Sequence, residues 1–323
     1  MLVKSILFIL FGFILLIKGA DYLVEGSSNI AKKFHIPEII IGLTIVSIGT
    51  SMPELFVSTT SAINGHSDMA MGNVIGSNLC NLLLILGLSS MIKPVKFQRE
   101  TRLIEIPLCL VFTIIFFVLC NTGSVIDRVE AAFLMVLFVM FIGYTIYMAK
   151  KGEEFDKEEN EENKEETLVK VSEISMIKNI LSVILGVIAL KIGGDFTVDN
   201  CVLIAEHFNV SEQIISLTIL AVGTSLPELV TSVMAAVKGN SDIAIGNIIG
   251  SNIFNMLLII GVSAVISPIT YSLKYNLDLI ILTVAMLVLA LFPVIPPKNQ
   301  MSRANGIIYF LMYAGYLGIM FVV

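Results

Sequence analysis

The chain has 323 residues, 56% of them hydrophobic and only 14% charged, with a mean hydropathy of +0.91. Soluble domains keep about a quarter of their residues charged, so these values exclude a water-facing globule. The net charge of −6 comes mostly from one acidic stretch, residues 152–167; it points to no nucleic-acid or protein partner, and the surroundings implied are a lipid bilayer.

A helix needs about 20 apolar residues to cross a hydrocarbon core of ~30 Å. Ten such runs follow one another, over residues 2–25, 37–64, 67–92, 100–120, 125–149, 177–206, 212–238, 241–266, 276–294 and 304–322. The first, with a single lysine near its start, Lys4, resembles a signal peptide, but no small-residue cleavage site comes after it, so it is kept as a span. The acidic stretch separates the fifth run from the sixth and reads as a solvated linker. The chain thus divides into residues 1–150, a linker over 151–175, and residues 176–323. Cys80, Cys109, Cys120 and Cys201 lie in or at the ends of apolar runs without CxxC spacing, and read as small hydrophobes.

With ten spans, the odd-numbered connections share one side of the membrane. That side holds Lys32, Lys33, Lys93, Lys96, Arg99, Arg102, Lys150, Lys151, Lys238, Lys298 and Arg303, against Lys4, Arg128 and Lys274 opposite. Basic loops stay cytoplasmic. The linker is therefore expected in the cytoplasm and both termini outside.

Sliding the sequence along itself aligns residues 36–87 with 210–261 without a gap, and 29 of those 52 positions are identical. Five spans precede the linker and five follow it. An odd number per unit makes the second copy enter the membrane from the opposite face. The expectation is an all-α membrane protein of ten transmembrane helices in two inverted five-helix repeats, with substrate at the midplane between them.

Each copy carries one carboxylate deep in its second span, Glu54 and Glu228. A charge at that depth costs at least ~2.5 kcal/mol on insertion scales, and no basic residue stands at matching depth. The natural counter-charge is a cation or a proton. Thr50 lies four residues before Glu54, and Ser47 four before Ser51, so all four share a helix face. Thr224, Ser225 and Glu228 repeat the pattern, with Ala221 in place of Ser47. Pro53 and Pro227 remove the N–H that would bond the carbonyls of Gly49 and Gly223, which loosens each span there. On the following spans Ser77 and Asn81, and Ser251 and Asn255, are again four apart. Gly72, Gly76, Gly246 and Gly250 form small-xxx-small pairs for close helix packing.

The set is all oxygen, which suits Ca²⁺, Mg²⁺ and Na⁺ and argues against Zn²⁺ or Cu⁺. Asn73, Asn78, Asn247 and Asn252 are ligands or, preferably, helix-to-helix hydrogen bonders. Asp68 and Asp242 are expected to cap helices. Lys18, Asp21, Lys191 and Asp195 are expected to snorkel or to pair among themselves. HExxH, a nucleophile–base pair and a phosphate loop are all missing, so no enzyme and no cofactor is expected.

The segments GTSMPE with GNVIGSNLCN, and GTSLPE with GNIIGSNIFN, resemble the paired alpha-repeats of the sodium/calcium exchanger family, in the cation/Ca²⁺ antiporter superfamily. The resemblance implies ligands at Glu54 and Glu228 with the side chains of Thr50, Ser51, Ser77, Thr224, Ser225 and Ser251. It implies that Asn81 and Asn255 complete a central diamond, and that the backbone carbonyls of Ser47 and Ala221 serve flanking Na⁺ sites. Some prokaryotic members carry Asp where Asn255 stands, so this site has two formal charges rather than three. The function implied is exchange of Na⁺ for Ca²⁺ across the cell membrane by alternating access, with coupling to H⁺ or K⁺ as the alternative.

Overall fold

Inside a bilayer every backbone polar group must find its partner within the protein, and this chain meets that demand almost entirely with helices. The computed structural model describes residues 2–159, 176–208 and 221–320. Seven helices there are long and apolar enough to span a membrane: Leu2–Lys33, Ser67–Ile92, Thr101–Thr122, Arg128–Lys151, Met176–Ile204, Ser241–Ile266 and Leu273–Leu291. The pair Glu38–Thr50 and Met52–Ile63, bent by 51°, passes the same test when taken together and brings the number to eight if it is one span. Helices Leu226–Lys238 and Arg303–Met320 fall on the two remaining apolar runs; residues 212–220 and 321–322 of those runs lie outside the described residues. The fifth run continues as helix to Glu159, beyond the expected start of the linker, because Glu and Lys are good helix formers. Residues 160–175 of that linker lie outside the described residues.

Burial identifies the centre. Within Ser67–Ile92 and Ser241–Ile266, 72% and 83% of the most apolar window is buried, against 22% in Leu2–Lys33 and in Met176–Ile204. The last two helices instead lie flat on one another through glycines. A Cβ on Gly12 would meet the Gly193 carbonyl at 2.8 Å, one on Gly19 the Gly186 carbonyl at 2.9 Å, and one on Gly26 the Asn179 carbonyl at 2.9 Å. The matched numbers rise on one helix and fall on the other, so the two run antiparallel. Lipid tails are as apolar as leucine, so close backbone packing of this kind is one of the main forces that hold helices together there.

Gly246 and Gly250 pack as expected, their Cβ positions only 2.7 Å from the carbonyls of Ile39 and Leu43. Gly72 faces the Tyr275 hydroxyl, and no described atom comes within 4 Å of a Cβ at Gly76. Two short antiparallel ladders, Val95–Lys96 with Gln300–Met301 and Val125–Ile126 with Ile269–Thr270, tie the halves at their edges.

Asp68 and Asp242 do not cap. The cap residues are His66 and Asn240, with no side-chain bond to the helix. Asp68 pairs with Lys274 at 2.7 Å and Asp242 accepts from Gln98 at 2.5 Å. A partner on another element won over the local turn. Lys191 and Asp195 do pair, at 2.6 Å, whereas Asp21 pairs with Lys238 on a neighbouring helix. Cys80, Cys109 and Cys120 are free and buried, and Cys201 is free and half-buried.

Candidate cation site

The break in the second span falls at Ser51, whose φ of −85° and ψ of 8° leave the helix before Met52–Ile63 resumes with Pro53 in its first turn. Ser225 repeats it with φ −89° and ψ 8°, followed by Pro227 and helix Leu226–Lys238. Each proline therefore sits where its missing N–H costs nothing, and each glutamate lies in the first turn after a break. The facing helices widen into π-helical turns at Cys80–Ile85 and Phe254–Ile259, which hold Asn81 and Asn255. Such turns recur at functional sites.

The two carboxylates are bound crosswise. Ser51 Oγ donates to Glu228 Oε1 at 2.9 Å, and Ser225 Oγ to Glu54 Oε1 at 3.4 Å. Ser77 Oγ also donates to Glu54 Oε1, at 3.5 Å. Both glutamates are only 1% exposed, so neither turns toward lipid. The second oxygen of each, Oε2, is buried without a hydrogen-bond partner, as are Ser251 Oγ and the carbonyl oxygens of Asn81 and Asn255. Buried oxygens left unmatched cost about 1–3 kcal/mol each, and more when charged. These five oxygens, all buried and without a partner, could hold a cation.

An asparagine lattice frames it. Asn73 Nδ2 donates to Ser58 Oγ and Asn247 Nδ2 to Ser232 Oγ, both at 2.9 Å. Asn247 Oδ1 accepts from Thr50 at 3.0 Å, and Asn73 Oδ1 from Thr224 at 3.5 Å. Asn78 and Asn252 each donate to the other's backbone carbonyl, at 3.4 and 3.5 Å, and Asn255 donates to Asn78 Oδ1 at 2.9 Å. These four asparagines thus bond helix to helix. Ser47 Oγ is used locally, on the Leu43 carbonyl at 2.8 Å, while its own carbonyl accepts from Ser51 N at 3.0 Å. Ala221 opens the helix Ala221–Thr224, immediately after the undescribed residues. Ser58 and Ser232, which fix the asparagines, escaped sequence reasoning; their identity in both copies was the available signal.

Glu54 and Glu228 are the only acidic members of the cluster, and among the described residues no group of three or more His, Cys, Asp or Glu gathers to hold a metal. Neutral hydroxyls and amides make up the rest, a hard-cation environment of modest charge.

Comparison with known proteins agrees with this chemistry. The family model "sodium/calcium exchanger protein" matches residues 4–147 and 178–322. The sodium/calcium exchanger MaX1 of Methanosarcina acetivorans is 33% identical over 351 residues, covering 99% of each chain. The inner membrane protein YrbG of Escherichia coli is 34% identical over 275 residues, covering 84% of each. A solved structure of the sodium-calcium exchanger NCX_Mj, soaked with Na⁺ and without Ca²⁺, superposes with a TM-score of 0.84 at 29% identity over 98% of this chain and 99% of that one. The chain belongs to the sodium/calcium exchanger family, whose members are membrane transporters and not enzymes.

Proposed function

We propose that the protein exchanges Na⁺ for Ca²⁺ across the cell membrane, the two ions competing for the site between Glu54 and Glu228. The observation that carries this reading is the crosswise binding of two buried carboxylates, each keeping one oxygen without a partner. Together they carry a charge of −2, which one Ca²⁺ neutralises and which Na⁺ ions singly do not. Thr50, Ser51, Ser77, Thr224, Ser225 and Ser251 supply hydroxyl oxygens, Asn81 and Asn255 amide oxygens, and Ser47 and Ala221 backbone carbonyls for flanking Na⁺.

The same reading takes the molecule as ten helices in two inverted repeats. The antiparallel seam of Leu2–Lys33 against Met176–His207 supports it, since these are the first helices of the two halves. Alternating access then needs each half to close in turn around a fixed site. The loop-charge asymmetry supports a cytoplasmic linker and outside termini.

Radiolabelled Ca²⁺ uptake into Na⁺-loaded proteoliposomes tests the proposal. Uptake that follows the outward Na⁺ gradient is expected. Uptake that ignores Na⁺ and follows a pH or K⁺ gradient would transfer the coupling to H⁺ or K⁺.

A further inference from the structure

Glu105 is a third acidic side chain buried within the spanning helices, and the central site does not use it. It lies near the start of helix Thr101–Thr122 and is 0% exposed. Its Oε1 accepts from the Tyr144 hydroxyl at 2.7 Å, but its Oε2 has no partner. Thr101, four residues earlier on the same helix, is likewise buried with an unpartnered hydroxyl. The stretch between them, Thr101–Glu105, is a π-helical turn. Thr-x-x-x-Glu is also the spacing of Thr50 with Glu54 and of Thr224 with Glu228.

The other half does without a carboxylate at this place. The offset of 174 that relates the halves places Leu279 at the equivalent position, buried at 0%. An apolar side chain fills that place in the other half. The Tyr144 hydroxyl accounts for one oxygen of Glu105 and leaves the other at an uncompensated cost.

Glu105 also lines a cavity of about 250 Å³, together with Pro37, Gln98, Arg99, Glu100 and Lys151. That volume accommodates several waters, and the cavity sits on the face that carries the basic loops. None of its lining residues belongs to the central site.

We propose that Glu105 and Thr101 form a second cation site, which takes one small monovalent alkali ion, Na⁺ by size and charge. A hard oxygen pair excludes soft metals. Glu105 is the one buried carboxylate on the cavity, and Glu100 with Arg99 and Lys151 makes up the rest of its charged wall, so the two acidic and two basic side chains leave no surplus of negative charge for a divalent ion. No group of three or more acidic, His or Cys side chains gathers among the described residues to hold a divalent ion. The site is one-sided, having no copy in the other half, so it reports the cation on one face only and does not travel through the exchange cycle. The inference stands apart from the assignment of the central site.

The test is equilibrium binding of radiolabelled Na⁺ to the purified full chain in nanodiscs. In a Glu54→Gln/Glu228→Gln background, one saturable Na⁺ per chain is expected to remain. Adding Glu105→Gln should weaken it by at least about tenfold, and Glu105→Leu, which copies Leu279, should abolish it while the protein stays monodisperse. In the otherwise wild-type chain, Glu105→Leu should lower the Na⁺ stoichiometry by one and leave Ca²⁺ binding in place. Absence of saturable Na⁺ in the background variant, Na⁺ binding that survives both Glu105 substitutions, or displacement of the label by Ca²⁺ at lower concentration than by Na⁺ would overturn the proposal. Failure of the central assignment would read differently, as Ca²⁺ binding that survives Glu54→Gln and Glu228→Gln.

Discussion

Replacing Glu228 by Gln keeps the volume and removes one of the two charges in the cluster. In the apo protein the change relieves a burden, because Glu228 Oε2 is buried without a partner and no basic side chain is hydrogen-bonded to it. Apo stability should therefore hold or rise. With the cation bound the balance reverses: a buried ionic partner has been deleted, and removing one member of a buried charge pair costs about 3–5 kcal/mol. At 1.4 kcal/mol per decade, Ca²⁺ affinity should fall by roughly two to four orders of magnitude. Thermal unfolding reads this directly. At Ca²⁺ concentrations about 100 times the wild-type Kd, binding stabilises the native state by about 2.7 kcal/mol. A variant whose Kd has risen a hundredfold gains only about 0.4 kcal/mol under the same conditions. The expected result is a Ca²⁺-dependent rise in Tm for the wild type, nearly none for Glu228→Gln, and an apo Tm that does not drop. A variant that retains the full Ca²⁺-dependent rise, or whose apo form collapses, would refute the reasoning.

Other consequences can be measured with the same preparations. Gly19→Leu should cost about 1–3 kcal/mol as an overpacked contact and abolish uptake, since a Cβ there meets the Gly186 carbonyl and the Leu190 backbone nitrogen, both at 2.9 Å. Gly143→Ala, where an added Cβ meets no described atom within 4 Å beyond its own helix backbone, should leave Tm level or slightly raised. Lowering pH should slow Ca²⁺ uptake, because each proton taken up by Glu54 or Glu228 removes one negative charge from the site; uptake that climbs steadily into acid would contradict the competition. A membrane-permeant maleimide should label Cys201 well before the buried Cys80, Cys109 and Cys120, as mass spectrometry of digested protein will show.

The carboxylates were legible in the sequence because charge inside hydrocarbon is expensive and the repeat displays the same expense twice. The breaks at Ser51 and Ser225 were legible through Pro53 and Pro227. The glycine seam was not. Gly12, Gly19 and Gly26 recur every seven residues, but their value depends on Gly186 and Gly193 across a contact that only the fold creates. Glu105 was passed over because it sits near the end of an apolar run, where a glutamate ordinarily reaches water; only the packing of Tyr144 over it shows otherwise. Asp68 and Asp242 fit a capping pattern, yet Lys274 and Gln98 on other elements claimed them. Local rules failed where a distant chain segment offered a stronger partner.

The halves are alike in sequence but not in geometry. Donors of the first half reach into the second at 3.0 Å (Thr50 to Asn247) and 2.9 Å (Ser51 to Glu228). Their counterparts reach back at 3.5 Å (Thr224 to Asn73) and 3.4 Å (Ser225 to Glu54). Thr50 is fully buried, whereas Thr224 is half-buried. The half-helix before Thr50 packs backbone to backbone on Gly246 and Gly250; the stretch before Ala221 in the other half lies outside the described residues. A carrier with perfect internal symmetry would open both approaches or neither, and in the first case ions would leak. Under the alternating access we propose, one tighter half and one looser half is the arrangement expected of a single state. On that proposal, exchanging those roles through the equivalent contacts of the two sequence copies would give the opposite state.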